Sequence, residues 1–240
     1  MDLIGITPDL IGSLFQKPGQ ARKQRVLVVP GFGADDRFTW PLRKYLQSLG
    51  YDVMGWGLGT NKAGMNLKHR ITDLHPRWNL EPLSHYRGEA GVPYLADMLI
   101  NKVDQLASDS EDQIALIGWS LGGYIAREVA RERPELVSQV ITLGSPVVGG
   151  PKYTLAAQVF AKRNYNLNWI EQCIRQREVK PIEVPVTAVI STTDGVVGYH
   201  AALDHFSPKV THIEMDAAHI GLPYNRQVWR IVTNALEAME

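Results

Sequence analysis

Cysteine is almost absent: Cys173 is the single one in the chain, which excludes an internal disulfide and suits a reducing compartment. An excess of either charge is absent too. Lys and Arg together number 25 and Asp and Glu 25, a formal net charge of +0, so no long-range field steers the protein to nucleic acid or anionic lipid. No apolar run approaches the ~20 residues that cross a bilayer. The start carries no secretory signature, because Met1-Asp2 is not basic and Pro8-Asp9 interrupts the apolar residues. A soluble, cytoplasmic protein is expected, with no transmembrane segment and no nucleic-acid partner.

Metal and cofactor signatures are missing as well. His69, Asp73, His75 and His85 match no familiar zinc spacing and read as a solvated loop. No carboxylate cluster nominates calcium ligands. Gly55-Trp56-Gly57-Leu58-Gly59 lacks the full G-x-G-x-x-G fingerprint and a helix after it, so it reads as a turn. No metal and no cofactor is expected. The chain also has no internal repeat and no low-complexity segment.

What is present is the composition of a globular protein: 45% hydrophobic and 21% charged over 240 residues. That length suits one α/β domain spanning 1–240, with a small insertion at most. Thr7-Pro8 resembles a helix start, with Leu10, Ile11, Leu14 and Phe15 on one side, and residues 17–25 form a basic linker. Val26-Leu27-Val28-Val29 is the mark of a strand buried on both faces. Leu42, Tyr45, Leu46 and Leu49 repeat at helical spacing, Gly50 closes that helix, and residues 51–57 supply the next strand. A long irregular region over 60–93 precedes a helix marked by Leu95, Met98, Leu99, Val103 and Leu106. Further strands are expected at 114–117, 140–143, 186–190 and 211–215, with a closing helix through Val228, Ile231, Val232 and Ala235. Alternating strands and helices imply a parallel sheet covered on both faces.

The chain's organising stretch is Ile114-Ala115-Leu116-Ile117-Gly118-Trp119-Ser120-Leu121-Gly122-Gly123. Four apolar residues run into Gly-x-Ser-x-Gly and a helix, the context in which a strained turn presents a serine as a nucleophile. Gly118 and Gly122 answer the steric demand of that turn. Ser120 also sits at a helix N-terminus, which favours developing negative charge.

A serine needs a base, and the base needs a carboxylate to fix its tautomer. In an elbow protein both follow the nucleophile, in the order Ser…Asp…His, from loops at strand ends. Asp194 lies in Ser191-Thr192-Thr193-Asp194-Gly195, directly after a strand; Asp204 and Asp216 are the alternatives. Of seven histidines, His219 alone follows the last strand and precedes the last helix, between small neighbours. His212 alternates within the strand, and His200 and His205 fall in the connection before it. The oxyanion donors expected are the backbone N–H groups of Leu121 and of Phe32, the latter between Gly31 and Gly33.

With Pro30-Gly31-Phe32-Gly33, Gly118-Trp119-Ser120-Leu121-Gly122-Gly123, residues 191–197 and Ala218-His219-Ile220-Gly221 in this order, the chain resembles the α/β-hydrolase family and its bacterial lipase- and esterase-like members. Gly144-Ser145-Pro146 resembles the turn that many lipases carry before a lid. Two departures stand out. Pro30 occupies a position where many relatives have histidine, and the family's usual first two strands are missing, which implies a sheet of about six strands. The resemblance implies a small cap insertion over 147–183 and hydrolysis of a small-molecule carboxylic ester with a hydrophobic acyl group, through Ser120, His219 and Asp194. Thioester cleavage or acyl transfer by the same three residues, and a silent binding protein on the same fold, are the alternatives.

Overall fold

The structure, a computed structural model, describes residues 24–108, 110 and 112–238; the helix expected at Thr7-Pro8 lies outside them. Strand β1 (Arg25–Val29) is buried along its whole length. Val26 and Val28 join one apolar cluster and Leu27 and Val29 the other, because successive side chains of a strand point to opposite faces. A strand wedged between two helix layers must be apolar on both sides, and this one is.

The chain then runs through α1 (Trp40–Ser48), β2 (Asp52–Gly55), α2 (Gly91–Ser108), β3 (Ile114–Trp119), α3 (Leu121–Glu132) and β4 (Val137–Leu143). After these come α4 (Ala157–Lys162), α5 (Leu167–Arg177), β5 (Val186–Ser191), α6 (Tyr199–Ala202), β6 (Val210–Met215) and α7 (Arg226–Glu237). The six strands form one sheet in the order β2-β1-β3-β4-β5-β6, and every neighbouring pair is parallel. This is the expected architecture, an α/β-hydrolase sheet trimmed to six strands. Among the described residues no helix is long and apolar enough to cross a membrane.

The strand order reverses between β1 and β3, so the loops leaving their carboxyl ends diverge and open a crevice. Gly-x-Ser-x-Gly stands at that point. Helices α2 and α3 cover one face through Leu95, Leu99, Ile125 and Val129. Helices α1 and α7 cover the other through Leu42, Leu46, Val228 and Val232, with Tyr45 stacked on Trp229 at 4.9 Å. Each such buried side chain stabilises the fold by about 1.5–3 kcal/mol. Asn225 starts α7 by accepting the N–H groups of Gln227 and Val228 on its side-chain oxygen, a cap contributing about 1 kcal/mol.

Helix α3 is buried all round, charged residues included. Along this helix, Arg127 pairs with Asp204, and Arg131 with Glu128 and Glu178. Arg177 of α5 bonds Glu128 at 2.8 Å and also pairs with Glu132, and Lys180 reaches Glu132 at 3.0 Å. Buried charges persist only when paired in this way. The cluster fastens the carboxyl end of α5 to the helix that begins at Ser120.

The two regions outside the strand–helix alternation hold short elements of their own. The helical segments within residues 60–90 are the short 3-10 turns Ile71–Asp73 and Pro76–Trp78. Helix α2 begins at Gly91, before Pro93, since proline fits a first helical turn whose N–H groups have no partner. Residues 147–183 hold a 3-10 turn at Gly150–Tyr153, then α4 and α5. Asp204 lies just beyond α6.

Candidate active site

Strands β3, β5 and β6 deliver three side chains to one edge of the sheet. Ser120 follows β3 with φ 54° and ψ −127°, a backbone conformation that costs about 1–3 kcal/mol in a non-glycine residue. The turn closes only because its neighbours are glycine. A Cβ on Gly118 would lie 2.3 Å from the Cα of Gly123, and one on Gly122 would lie 2.2 Å from the carbonyl oxygen of Val29. Ser120 N–H donates to Leu143 O at 2.9 Å, tying the elbow to β4.

His219 Nε2 lies 2.9 Å from Ser120 Oγ, and its Nδ1 lies 2.7 Å from Asp194 Oδ2. A carboxylate only accepts, so Nδ1 carries the proton and Nε2 presents a lone pair to the serine hydroxyl. The other oxygen of Asp194, Oδ1, accepts the N–H groups of Val196 at 2.9 Å and Val197 at 2.6 Å. Those bonds fix the carboxylate so that Oδ2 faces the ring. The peptide N–H of His219 donates to Asp194 O at 3.1 Å. All three residues are buried.

The alternatives weighed for the acid lie elsewhere. Asp204 is paired with Arg127, and Asp216 accepts from the Thr193 hydroxyl. His212 is on β6, where its Nε2 accepts from Asp204 N–H at 3.1 Å. His69 stacks on Tyr94, and His75 accepts Arg77 N–H at the start of a 3-10 turn.

Phe32 and Leu121 flank the serine. Leu121 opens α3, where the first N–H groups have no helical partner. Phe32 sits in the turn after β1, which runs hard against the elbow: a Cβ on Gly31 would stand 2.9 Å from Ser120 Cβ.

Two further residues make contacts at the site that the local sequence does not mark. Trp119 donates its indole N–H to the carbonyl oxygen of His219 at 3.1 Å, with the two rings 5.3 Å apart. Gly144, at φ +55°, passes under the acid–imidazole pair; a Cβ there would meet Asp194 Oδ2 at 2.9 Å.

A cavity of about 390 Å³ opens beside Ser120. Its walls are mainly apolar, with Phe32, Tyr124, Phe160, Trp169 and Ile174 among them, and Glu89 and Arg177 are the charged exceptions. Burial holds the Tyr124 phenol well above its usual range. Burial pushes the Cys173 thiol up to about 12, so this wall residue is a neutral thiol and no rival nucleophile.

Comparison with known proteins places the fold and the family. Residues 90–231, more than half of the chain, match the family described as PGAP1-like alpha/beta domain. The chain is similar to the pimeloyl-[acyl-carrier protein] methyl ester esterase of Aliivibrio fischeri, 34% identical over 112 residues, covering 45% of this chain and 41% of that one. The corresponding esterase of Aromatoleum aromaticum is 30% identical over 91 residues, 38% of this chain and 34% of its own. The chain thus spans about two fifths or less of the length of these curated relatives. Among solved structures, the monoacylglycerol lipase of Paleococcus ferrophilus superposes with a TM-score of 0.60 at 14% identity, over 93% of this chain and 97% of that one. Naproxen esterase from Bacillus subtilis superposes at 0.57 and 16% identity, over 91% and 85%. Fold, strand order and the matched segment together show that the chain belongs to the PGAP1-like α/β domain family, on the α/β-hydrolase fold.

Proposed function

We propose that the protein is a serine hydrolase of carboxylic esters, with Ser120 as nucleophile, His219 as general base and Asp194 as the residue that orients it. The observation that carries this reading is the continuous chain of hydrogen bonds from Ser120 Oγ through both ring nitrogens of His219 to Asp194. Ser120 Oγ attacks the acyl carbonyl while His219 Nε2 takes its proton, and Asp194 stabilises the imidazolium. The N–H groups of Phe32 and Leu121 hold the oxyanion, each donor being worth on the order of 10²–10³ in rate. Collapse expels the alcohol, which takes the proton back from His219. Water then attacks the acyl-enzyme with His219 again as base.

The acyl group occupies the apolar cavity. Its 390 Å³ is roughly two and a half times the ~150 Å³ that encloses a benzene, so it holds about fifteen non-hydrogen atoms. That suits an acyl chain of about eight to twelve carbons esterified to a small alcohol. The curated relatives, by name, act on a methyl ester, which is consistent with a small leaving group. Residues 147–183 act as the cap of a single domain: Phe160, Trp169 and Ile174 from this segment line the cavity and exclude water from it.

A fluorophosphonate probe tests the reading. Mass spectrometry is expected to find the phosphonyl group on Ser120 alone, and Ser120→Ala is expected to abolish labelling. Labelling at another residue, or none on folded protein, overturns the assignment.

A further inference from the structure

We propose that Asn61 is the positioning residue that sets the oxyanion loop, an inference that rests on the hydrolase reading above. Asn61 is fully buried inside the long irregular segment after β2. Its side-chain amide donates to Pro30 O at 2.8 Å, and its side-chain oxygen accepts Ala63 N–H at 3.1 Å. Its main chain grips the same loop: Asn61 N–H donates to Ala34 O, and Asn61 O accepts Gly33 N–H, both at 2.8 Å. One residue thus holds Pro30, Gly33 and Ala34, on both sides of Phe32.

The chemistry explains why a side-chain amide is needed. Proline at position 30 has no N–H, so only its carbonyl can anchor the start of the loop, and that carbonyl requires a donor. The Ala63 N–H, at φ 52° in a turn of its own, requires an acceptor. Asparagine supplies both at one position, and no other small side chain carries a donor and an acceptor on a rigid fork. The far end of the loop is fastened separately, by Asp36, whose carboxylate accepts the N–H groups of Trp56 and Gly57, each at 3.0 Å. Between these two staples, Gly31 has no side chain to hold it off Trp119 and Ser120. The aim of the Phe32 N–H at the reacting carbonyl is therefore set by Asn61 from a segment without regular structure.

The test compares wild type, Asn61→Asp and Asn61→Ser on a matched ester and thionoester pair with the same acyl and leaving groups. Asn61→Asp keeps the acceptor for Ala63 and the two main-chain bonds but turns the donor facing Pro30 into an acceptor. With an oxyanion donor misaimed, kcat on the ester is expected to fall on the order of 10²-fold while KM stays within about twofold. The preference for ester over thionoester is expected to narrow about tenfold or more, because sulfur gains little from the oxyanion hole in either protein. That preference is a ratio, so it reads the same whatever fraction of a variant is folded. Both variants keeping the wild-type kcat and preference would overturn the proposal; so would a lower kcat with an unchanged preference, which marks a purely structural role. If wild type itself neither turns over an ester nor takes a phosphonate at Ser120, the hydrolase reading has failed, not the part given to Asn61.

Discussion

Trp119 and His219, one hundred residues apart in sequence, are joined by a 3.1 Å hydrogen bond from the indole N–H to the histidine carbonyl. The residue before the proposed nucleophile therefore holds the backbone of the proposed base. Phe38 stacks on the indole with centroids 4.5 Å apart, so the ring has little freedom. Trp119→Phe keeps the apolar contact and removes the donor, leaving a buried carbonyl unpaired at a cost of about 1–3 kcal/mol. A lower unfolding midpoint is expected, with kcat down about tenfold and KM little changed. Thermal unfolding and steady-state kinetics on the same preparation check both halves.

Asp194→Asn keeps the shape of the acid and replaces an acceptor by an amide. Where the amide nitrogen faces His219, Nδ1 becomes the acceptor, so the proton moves to Nε2 and the lone pair facing Ser120 is lost. The expected fall in kcat is on the order of 10⁴-fold, with the protein still folded. Wild-type activity in this variant would pass the acid's role to another carboxylate.

The buried pair of Asp204 and Arg127 governs acid stability. Burial alone raises the carboxyl's pKa, but Arg127, Ser207 and the Phe206 N–H outweigh it and hold Asp204 down to about 2. A group depressed in the folded state stabilises above its unfolded pKa and loses that contribution as pH falls through the folded value. The window therefore runs from about pH 4 down to about pH 2, and the contribution is on the order of 2 kcal/mol. Asp204→Asn is expected to lower stability at neutral pH and to flatten its dependence on acid in that window. Urea midpoints at several pH values measure it; an unchanged slope between variant and wild type contradicts it.

Acyl length is set by the cavity wall. Ile174, buried on α5, contributes to that wall, and Ile174→Phe fills part of the space. The optimum is expected to move to shorter acyl chains, and overpacking is expected to lower stability by about 1–3 kcal/mol. An unmoved optimum would detach the cavity from the acyl group.

Much of the scaffold was legible because its signals are local. The β-branched run at Val26-Leu27-Val28-Val29 and the apolar run before Gly118 are strands, and a chain of alternating strands and helices has few ways to build a sheet. Ser120 was visible through glycines whose absent side chains the turn requires, and Asp194 and His219 through their positions after strands. The parts played by Trp119, Asn61 and Gly144 at the site were not visible, although Gly144 stood out as a turn after a strand. Each acts through a contact across the fold, and an indole, an amide or a missing Cβ gives no periodic pattern along the chain. The charges on α3 hid for the same reason. Arg127, Glu128 and Arg131 are buried by partners on α5 and in the segments after β4 and β5, which no local pattern marks.

The most direct measurement is turnover of an aryl ester series from acetyl to palmitoyl by purified wild type and by Ser120→Ala. Hydrolysis is expected to peak at about eight to twelve carbons, the length that the cavity accommodates, and to fall by at least about 10³-fold at every length in the variant. Turnover that survives Ser120→Ala, or a folded wild-type protein that cleaves no ester of any length, would contradict the account.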